Sequence, residues 1–385
     1  MKAKSIKGKS TSAIKAALAE SMADGYKPTV AFVFISIKQD RNTICNLLTE
    51  HDIDIIGATS SVEFIDGHQD EGSTVILLLD LNHSYYSILF ESISEGNIKE
   101  SGARLAQAAL SKFNNPSFIL LTTSLTSDGK MIDGEAIIQS MVKELGNEFN
   151  LFGGMAGDDM TFTGTYVFTN NQSTGYGMAA LVLDADKIHL HGMAISGWKP
   201  IGVTKTVTKS EGNTIYTIDN QPALDLYMRY LGSAVPSNDD QMVFFENLGN
   251  QYPFQIEREG REPLMCNPIG FDKGNKALIC EINVLQGSRF RFSTPPDFDI
   301  MQTIVAEATE LKNKMQANAD ALLIFSCAGR LAALGPLAQE ENEGLAHVWD
   351  SPMAGFYSYG EFGRGVNGKH EFHSTTNSWV ALKEK

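Results

Sequence analysis

The sequence predicts an α/β (α+β) protein with mixed, largely antiparallel sheets and packed helices, built from repeated strand-helix-strand units in two coupled halves. Three observations predict it. A short apolar run ending in serine occurs three times, at Val30 to Ser36, Phe118 to Ser124 and Ala321 to Ser326. After each run, 21 residues from Ser36 to Gly57 and 29 from Ser124 to Gly153 and from Ser326 to Gly355, comes a glycine with a carboxylate six positions later. The three stretches are Gly57-Ala-Thr-Ser-Ser-Val-Glu63, Gly153-Gly-Met-Ala-Gly-Asp-Asp159 and Gly355-Phe-Tyr-Ser-Tyr-Gly-Glu361. A spacing of that size fits one helix and two short turns, so each copy reads as strand, helix, then a glycine turn opening a strand of small, hydroxylic and acidic residues. Beyond each glycine stretch the pattern changes to period two between Gly, Asn or Asp turns, which implies hairpins.

The elements follow in order. Met1 to Lys15 carries Lys2, Lys4, Lys7, Lys9 and Lys15 and no acid. It lacks the apolar core of a signal peptide and the arginines of a transit peptide, so it reads as a solvated leader running into an alanine-rich helix at Thr11 to Ala23. In the first unit Ile44, Leu47 and Leu48 recur at helical spacing, and a further helix is expected at Gly102 to Phe113. In the second, Ile138, Met141, Val142, Leu145 and Phe149 fall at intervals of three and four after an N-cap at Asp133. Strands are expected at Tyr166 to Thr169, Gly177 to Leu183, Lys187 to Ile195 and Ile215 to Ile218, then a helix from Pro222 to Leu231 that Gly232 ends. Met242 to Glu246, Ala277 to Ile282 and Arg289 to Ser293 read as strands, and Asp299 to Met315 as a helix with Ile304, Ala308, Leu311 and Met315 on one face. The third unit has a weaker helix after Pro336, marked by Leu345, Val348 and Trp349, and Ser378 to Leu382 is the last strand. The polar stretch Ser233-Ala-Val-Pro-Ser-Asn-Asp-Asp240 is the best divide. It gives a leader and helix over 1–27, then domains over 28–232 and 233–385.

A chain of 385 residues has room for two or three domains and a substantial core, and its 43% hydrophobic and 20% charged content is that of a soluble globular protein. A net charge of −15 and a pI near 5.0 argue against nucleic acid or an anionic membrane as the main partner, since both would repel it. No apolar run approaches the roughly 20 residues needed to span a bilayer. Cys45, Cys266, Cys280 and Cys327 include no Cys-x-x-Cys pair. They read as reduced thiols of a cytoplasmic protein rather than a disulfide framework or a zinc site.

Ser326-Cys-Ala-Gly-Arg330 is the first candidate site, because a small-residue turn after a buried strand brings backbone N–H groups toward a ligand. Arg330 suits bidentate recognition of a carboxylate, or equally a structural pair with a nearby acid. Cys327 has a second reading as a thiolate nucleophile activated by a helix N-terminus and Arg330. In the third glycine stretch Tyr357, Tyr359 and Glu361 alternate onto one face of a strand, either lining a polar pocket or packing across strands. Asp158 and Asp159 point to opposite faces of an extended chain, one suited to cap a turn and the other to face a pocket. Trp198, between Gly197 and Gly202, stands either over a pocket or at a packed strand end. His189 and His191 share a face and could ligate a metal or haem. His370 and His373 have no Cys or acidic cluster around them. Walker, Rossmann, His-Glu-x-x-His and Gly-x-Ser-x-Gly signatures are missing, so binding is the default over catalysis.

The motifs, taken together, resemble FIST proteins, the sensory family named for F-box and intracellular signal transduction. The amino-terminal pattern is carried by Ile56-Gly-Ala-Thr-Ser-Ser-Val-Glu63, Phe152-Gly-Gly-Met-Ala-Gly-Asp158, and the run from Gly197-Trp-Lys-Pro-Ile-Gly202 through Val207-Thr-Lys-Ser-Glu-Gly-Asn213 to Pro222-Ala-Leu224 and Tyr227. The carboxy-terminal pattern is carried by Phe325-Ser-Cys-Ala-Gly-Arg330, Gly355 to Gly363, and Thr375, Thr376 and Asn377. The resemblance covers nearly everything after residue 28. It implies a stand-alone ligand-sensing module for small molecules such as amino acids, with no room for an attached output domain, reporting to a separate partner such as a histidine kinase. Ala58 and Ser61-Val62 depart from the Cys and Ala-Gly of many relatives, which implies a different ligand. Some stand-alone relatives are haem-based nitric oxide sensors, which would require a histidine such as His189 or His191; otherwise no cofactor is expected. On this reading Ser326, Cys327 and Arg330 form the anchor for an anion. Tyr357 and Trp198 pack the ligand body, and Glu361 with Asp158 or Asp159 takes an amino group. The third unit carries the densest set of such residues, while Glu63 of the first reads as structural.

Overall fold

The computed structural model, which describes residues 1–93, 97–126, 129–235, 240–316 and 318–385, folds the chain into three copies of one unit. The first runs β1 (Lys2–Gly8), α1 (Thr11–Met22), β2 (Val30–Ser36), α2 (Arg41–Thr49), β3 (Asp54–Ser60), a hairpin of β4 (Glu63–Ile65) and β5 (His68–Asp70), and β6 (Thr74–Asp80). The second repeats that order as β7 (Tyr86–Ser92), α3 (Ile98–Lys112), β8 (Pro116–Thr122), α4 (Gly134–Leu145), β9 (Leu151–Met155), β10 (Val167–Phe168), β11 (Ser173–Thr174) and β12 (Gly177–Asp184). The third begins with β13 (Ile188–Ile195) and then takes an insertion. It consists of β14 (Lys199–Glu211), β15 (Thr214–Ile218), β16 (Gln221–Pro222), α5 (Ala223–Tyr230), α6 (Gln241–Phe244), β17 (Phe254–Ile256), β18 (Leu264–Cys266), β19 (Pro268–Asp272), β20 (Ala277–Cys280) and β21 (Arg289–Thr294). The unit resumes with α7 (Ile300–Met315), β22 (Ala321–Cys327), α8 (Ala328–Leu334), α9 (Pro336–Trp349), β23 (Met353–Ser358), β24 (Glu361–Arg364), β25 (His370–His373) and β26 (Asn377–Glu384).

Local chemistry explains the repeated pieces. The apolar runs become β2, β8 and β22, each buried along its whole length, as strands covered on both faces require. In each unit that strand runs parallel to the strand after the next helix: β2 with β3, β8 with β9, β22 with β23. Asp40 and Asp133 cap α2 and α4 by accepting from the N–H groups of Thr43 and Ala136, and α9 starts instead on Pro336. Return strands and hairpins pair antiparallel, giving the mixed, largely antiparallel sheets expected.

Each unit gives its hairpin to a neighbour. β4 of the first unit pairs with β23 of the third, β24 of the third with β9 of the second, and β10 of the second with β3 of the first. The three exchanges close a ring of six-stranded sheets, β1-β6-β2-β3-β10-β11, β7-β12-β8-β9-β24-β25 and β13-β26-β22-β23-β4-β5. At every exchange a phenylalanine stands opposite the repeat glycine: Phe168 opposite Gly57, Phe362 opposite Gly153, and Phe64 opposite Gly355. A methyl group on Gly57 would lie 2.3 Å from the Phe168 ring, and one on Gly355 2.1 Å from the Phe64 ring. A methyl group on Gly153 would instead lie 1.8 Å from the Leu120 carbonyl oxygen. The glycines are therefore not turns, as the sequence suggested, but points inside strands where a ring or a neighbouring backbone comes too close for a side chain. The register also corrects the serine alignment. Cys327 faces Ser358 as Ser36 faces Ser60, so Cys327 and not Ser326 holds the place of Ser36.

The inner faces of the three sheets share one core, in which Phe34, Phe325 and Phe356 meet with ring centroids 4.8 to 6.0 Å apart. The outer faces pack on their own helices. The insertion forms an eight-stranded sheet over a separate aromatic core that includes Tyr227, Phe254 and Phe292. That sheet joins strands on both sides of the divide expected after residue 232, and residues 236–239 of the divide lie outside the described residues. A partly buried charge cluster holds the insertion to the ring. Arg258 meets Glu135 of α4 at 3.0 Å and Glu371 of β25 at 2.6 Å, and Arg261 pairs with the same two acids.

Two further expectations change. Lys2 to Gly8 is not a solvated leader but an edge strand on β6, with Ile6 turned inward and the lysines toward the rim. Met242 to Glu246 is helical rather than extended. Asp240 accepts from the Val243 N–H and starts α6, which runs into a π turn over Phe245–Gly249.

The crossing at Gly57 makes a quantitative prediction. Gly57→Ala should lower stability by about 1–3 kcal/mol through overpacking, and Phe168→Ala by about 3–5 kcal/mol through the lost ring. In urea melts the double variant should lose less than the sum of the two, because the clash needs both groups. Strict additivity would show that the ring does not dictate the glycine.

Candidate functional site

Beyond the carboxyl ends of β8, β9, β22 and β23 the insertion closes over a cavity of about 270 Å³. Ligands of open α/β sheets bind at such strand ends. Three separate parts of the chain wall it.

The second unit supplies the loop after β9. Asp158 is fully buried, and its carboxylate accepts from the N–H groups of Phe162 (3.1 Å), Thr163 (2.6 Å) and Gly164 (3.0 Å) and from the Tyr359 hydroxyl (2.6 Å). This holds Asp159, Met160 and Phe162 at φ of 54°, 60° and 52°, a left-handed conformation that costs non-glycine residues free energy. The strained loop presents Met160 and Phe162 to the cavity, with Phe162 stacked 5.1 Å from the Tyr359 ring. The third unit supplies Cys327, Ala328 and Gly329 at the end of β22, and Ser358 and Tyr359 at the end of β23.

Leu125, Gly129 and Met131 come from the second unit between β8 and α4, and the insertion supplies the rest. Met242 and Phe245 come from α6 and its π turn, Asn250 from the residue after that turn, and Asn267 and Glu281 from the strand ends beside β18 and β20. Glu281 accepts from the Asn267 N–H at 3.0 Å, from Asn267 Nδ2 at 2.9 Å and from Ser374 Oγ at 2.8 Å, and burial pushes its carboxyl above the ordinary range. Asn250 is fully buried with neither Oδ1 nor Nδ2 partnered, and Asn267 Oδ1 is also without a partner. Free amide groups at a cavity wall are sites awaiting a polar partner.

The residues singled out by sequence are scattered by the fold. Cys327 lines the cavity, and Ser326 lies just beneath it with its hydroxyl buried and unpartnered. Burial, then the neighbouring Glu361 and Glu281, pushes the Cys327 thiol well up, which opposes the thiolate a nucleophile needs. Arg330 gives no help. It is fully buried, with Nε to Glu341 at 3.1 Å, Nη2 to the same carboxylate, and Nη1 to the Ser196 and Thr375 carbonyls, so its role is the structural pair and not an exposed anion anchor. Trp198 lies 5.3 Å from the Arg330 guanidinium and donates to the Gln251 carbonyl, away from the cavity. Tyr357 is buried against Phe64 with its hydroxyl between Asn342 and Gln69. The chain turns after β23, so Tyr357, Tyr359 and Glu361 do not form the common face expected of a continuous strand.

Glu361 is buried, accepting from Ser358 Oγ at 2.8 Å and the Thr376 N–H at 3.3 Å. Glu63 repeats this in the first unit with Ser60 Oγ and the Ser73 N–H at 2.8 Å, so the repeat acid ties the hairpin to the return strand in both copies. Asp158 is the turn cap. Asp159 accepts from Ser36 Oγ at 2.7 Å and pairs with Lys38 at 3.4 Å, so it does not face the cavity. His189 and His191 lie side by side on β13, rings 5.4 Å apart, and neither lines the cavity. His373 is buried and His370 half-buried, with desolvation driving their pKa down to about 3 and about 4. The cavity offers no histidine among its described lining residues, so it does not fit a histidine-ligated haem.

Sequence reasoning missed Met160, Phe162, Phe245, Asn250, Asn267 and Glu281. Only the Asp158-Asp159 doublet signalled the strained loop, and nothing local marks the insertion residues.

The chain matches the FIST N domain over residues 29–221 and the FIST C domain over residues 223–364. It is also 23% identical over 259 residues to an uncharacterized protein of Methanocaldococcus jannaschii, in a match covering 58% of this chain and 47% of that protein. The aligned stretch thus spans about half the length of the curated relative.

Two measurements check these assignments. Arg330→Met should destabilise the protein by about 3–5 kcal/mol in a chemical melt, since it leaves Glu341 buried without its partner. A loss near zero would contradict the buried pair. Burial raises Glu63 from its usual 4.5 to about 7. Its folded form holds a proton that the unfolded chain has released, so its contribution is complete below pH 4.5 and lost as pH rises to about 7. Urea melts of Glu63→Gln should accordingly show a flatter decline of stability between those pH values than the wild type.

Proposed function

Because the chain belongs to the FIST family of sensory signal-transduction domains, we propose that it is a cytoplasmic small-ligand sensor. It binds a small polar metabolite in the cavity beside Cys327 and reports to a separate partner such as a histidine kinase. One observation carries this reading. The cavity is walled by the second unit, the third unit and the insertion, so a ligand there touches all three at once. Only an arrangement that a ligand prefers can be favoured by its binding. A bridged junction provides such a preference, since moving the insertion against the ring would separate Met242, Phe245 and Asn250 from Tyr359 and Cys327.

Binding rather than catalysis is supported by the chemistry of the lining. The thiol is driven toward its protonated form, and no histidine or lysine stands among the described lining residues to act as a base. The apolar wall includes Met131, Met160 and Met242, side chains that adapt to a ligand's shape.

Calorimetric titration against a panel of amino acids and small polar metabolites tests the proposal. Met242 is partly exposed at the mouth, so Met242→Trp should block entry with little effect on the fold. At least one compound should bind the wild type, with affinity reduced tenfold or more in the variant. Unchanged binding in Met242→Trp would place the ligand elsewhere.

A further inference from the structure

The charges around the cavity narrow the ligand to a chemical class, an inference that rests on the sensor reading. Among the described residues that line the cavity there is no lysine, arginine or histidine. Arg330, next to the lining residue Gly329, is committed to Glu341 and two carbonyls, and Lys130, between the lining residues Gly129 and Met131, is exposed and does not itself line the cavity. A carboxylate brought into this space would give up its hydration with no cation to receive it.

The acceptors are of the other kind. Glu281 is a cavity carboxylate steadied by Asn267 and Ser374. The bond from Asn267 Nδ2 to Glu281 fixes the amide so that Asn267 Oδ1 is left without a donor. Asn250 Oδ1, on a side chain with no exposed surface, also lacks one. One carboxylate and two amide oxygens match the three N–H donors of a primary ammonium group. Apart from Gln241 and Ser358 the remaining lining is mostly apolar and aromatic, with Phe162 and Phe245 presenting rings to the same space. Ring faces attract a cation as well as an apolar body.

We propose that the cavity binds a small primary amine with an apolar body, held as its ammonium by Glu281, Asn250 and Asn267. The amino group is the recognised end of the metabolite, and a free carboxylate is rejected. Glu281 supplies the charge preference, and Asn250 and Asn267 supply direction.

The test is a calorimetric comparison of 2-phenylethylamine and 3-methylbutylamine with 2-phenylethanol, 3-phenylpropanoate and phenylalanine. At neutral pH the amines should bind at least tenfold tighter than the alcohol, the carboxylate or the amino acid. Glu281→Gln should cut amine affinity tenfold or more while leaving the alcohol unaffected, and Asn250→Leu should weaken the amines without removing their advantage over the carboxylate. The wild-type comparison stands even where a variant fails to fold. If the carboxylate or phenylalanine binds as tightly as the amines, or amino acids bind a protein that ignores every amine, the ligand class is wrong and the sensor reading survives. If no compound binds, in this series or in the wider metabolite panel, both fail.

Discussion

The structure depends on three hairpin exchanges, each setting a phenylalanine of one unit opposite a glycine of another, and at two of them the ring lies across the glycine. Without the glycine the hairpin cannot seat, and without the hairpin the receiving sheet ends on an uncovered edge of unpaired backbone groups. No unit therefore completes itself. Each relies on a neighbour for two strands, and the partners are distant in sequence, as with Phe64 of β4 and Gly355 of β23. Closure must bring the first and third units together before either is finished, a non-local requirement of the kind that slows folding.

The ring also explains why one strand end became a cavity and its counterpart did not. Ser36 and Cys327 hold the same register position. At the first, Asp159 arrives from the second unit and closes the space by accepting from the serine hydroxyl. At the third, the neighbouring loop is held by Asp158 in a strained form, and the insertion roofs the gap without filling it. The clamp of Arg258 and Arg261 on Glu135 and Glu371 fixes that roof to two units at once. Backbone strain, unpartnered amides and a raised carboxyl meet beside that cavity.

Much of the fold was legible because the signals are local. Buried runs, aspartate caps and helical stripes all act within a few residues, and the units appear where those signals lie. Function was less legible. Arg330 looked like an anion anchor because its committed partner, Glu341, becomes a neighbour only through the turn between α8 and α9. Tyr357 and Glu361 were grouped by alternation, which fails where the chain turns at Gly360. Met242 to Glu246 has the composition of a strand, but Asp240 caps it into a helix. The polar floor of Asn250, Asn267 and Glu281 carries no pattern, since three parts of the insertion converge only in space. Lys2 to Gly8 reads as polar because the edge strand turns only Ile6 inward.

The exchanged hairpins give the architecture the connectivity of a swapped trimer written on one continuous chain. Three separate copies of the unit could make the same ring, but identical copies would have to carry the same residues at all three junctions. Joined covalently, each junction is free to diverge. One became a sealed hydroxyl-carboxylate contact, and another an asymmetric chamber that an equal-sided ring could not hold.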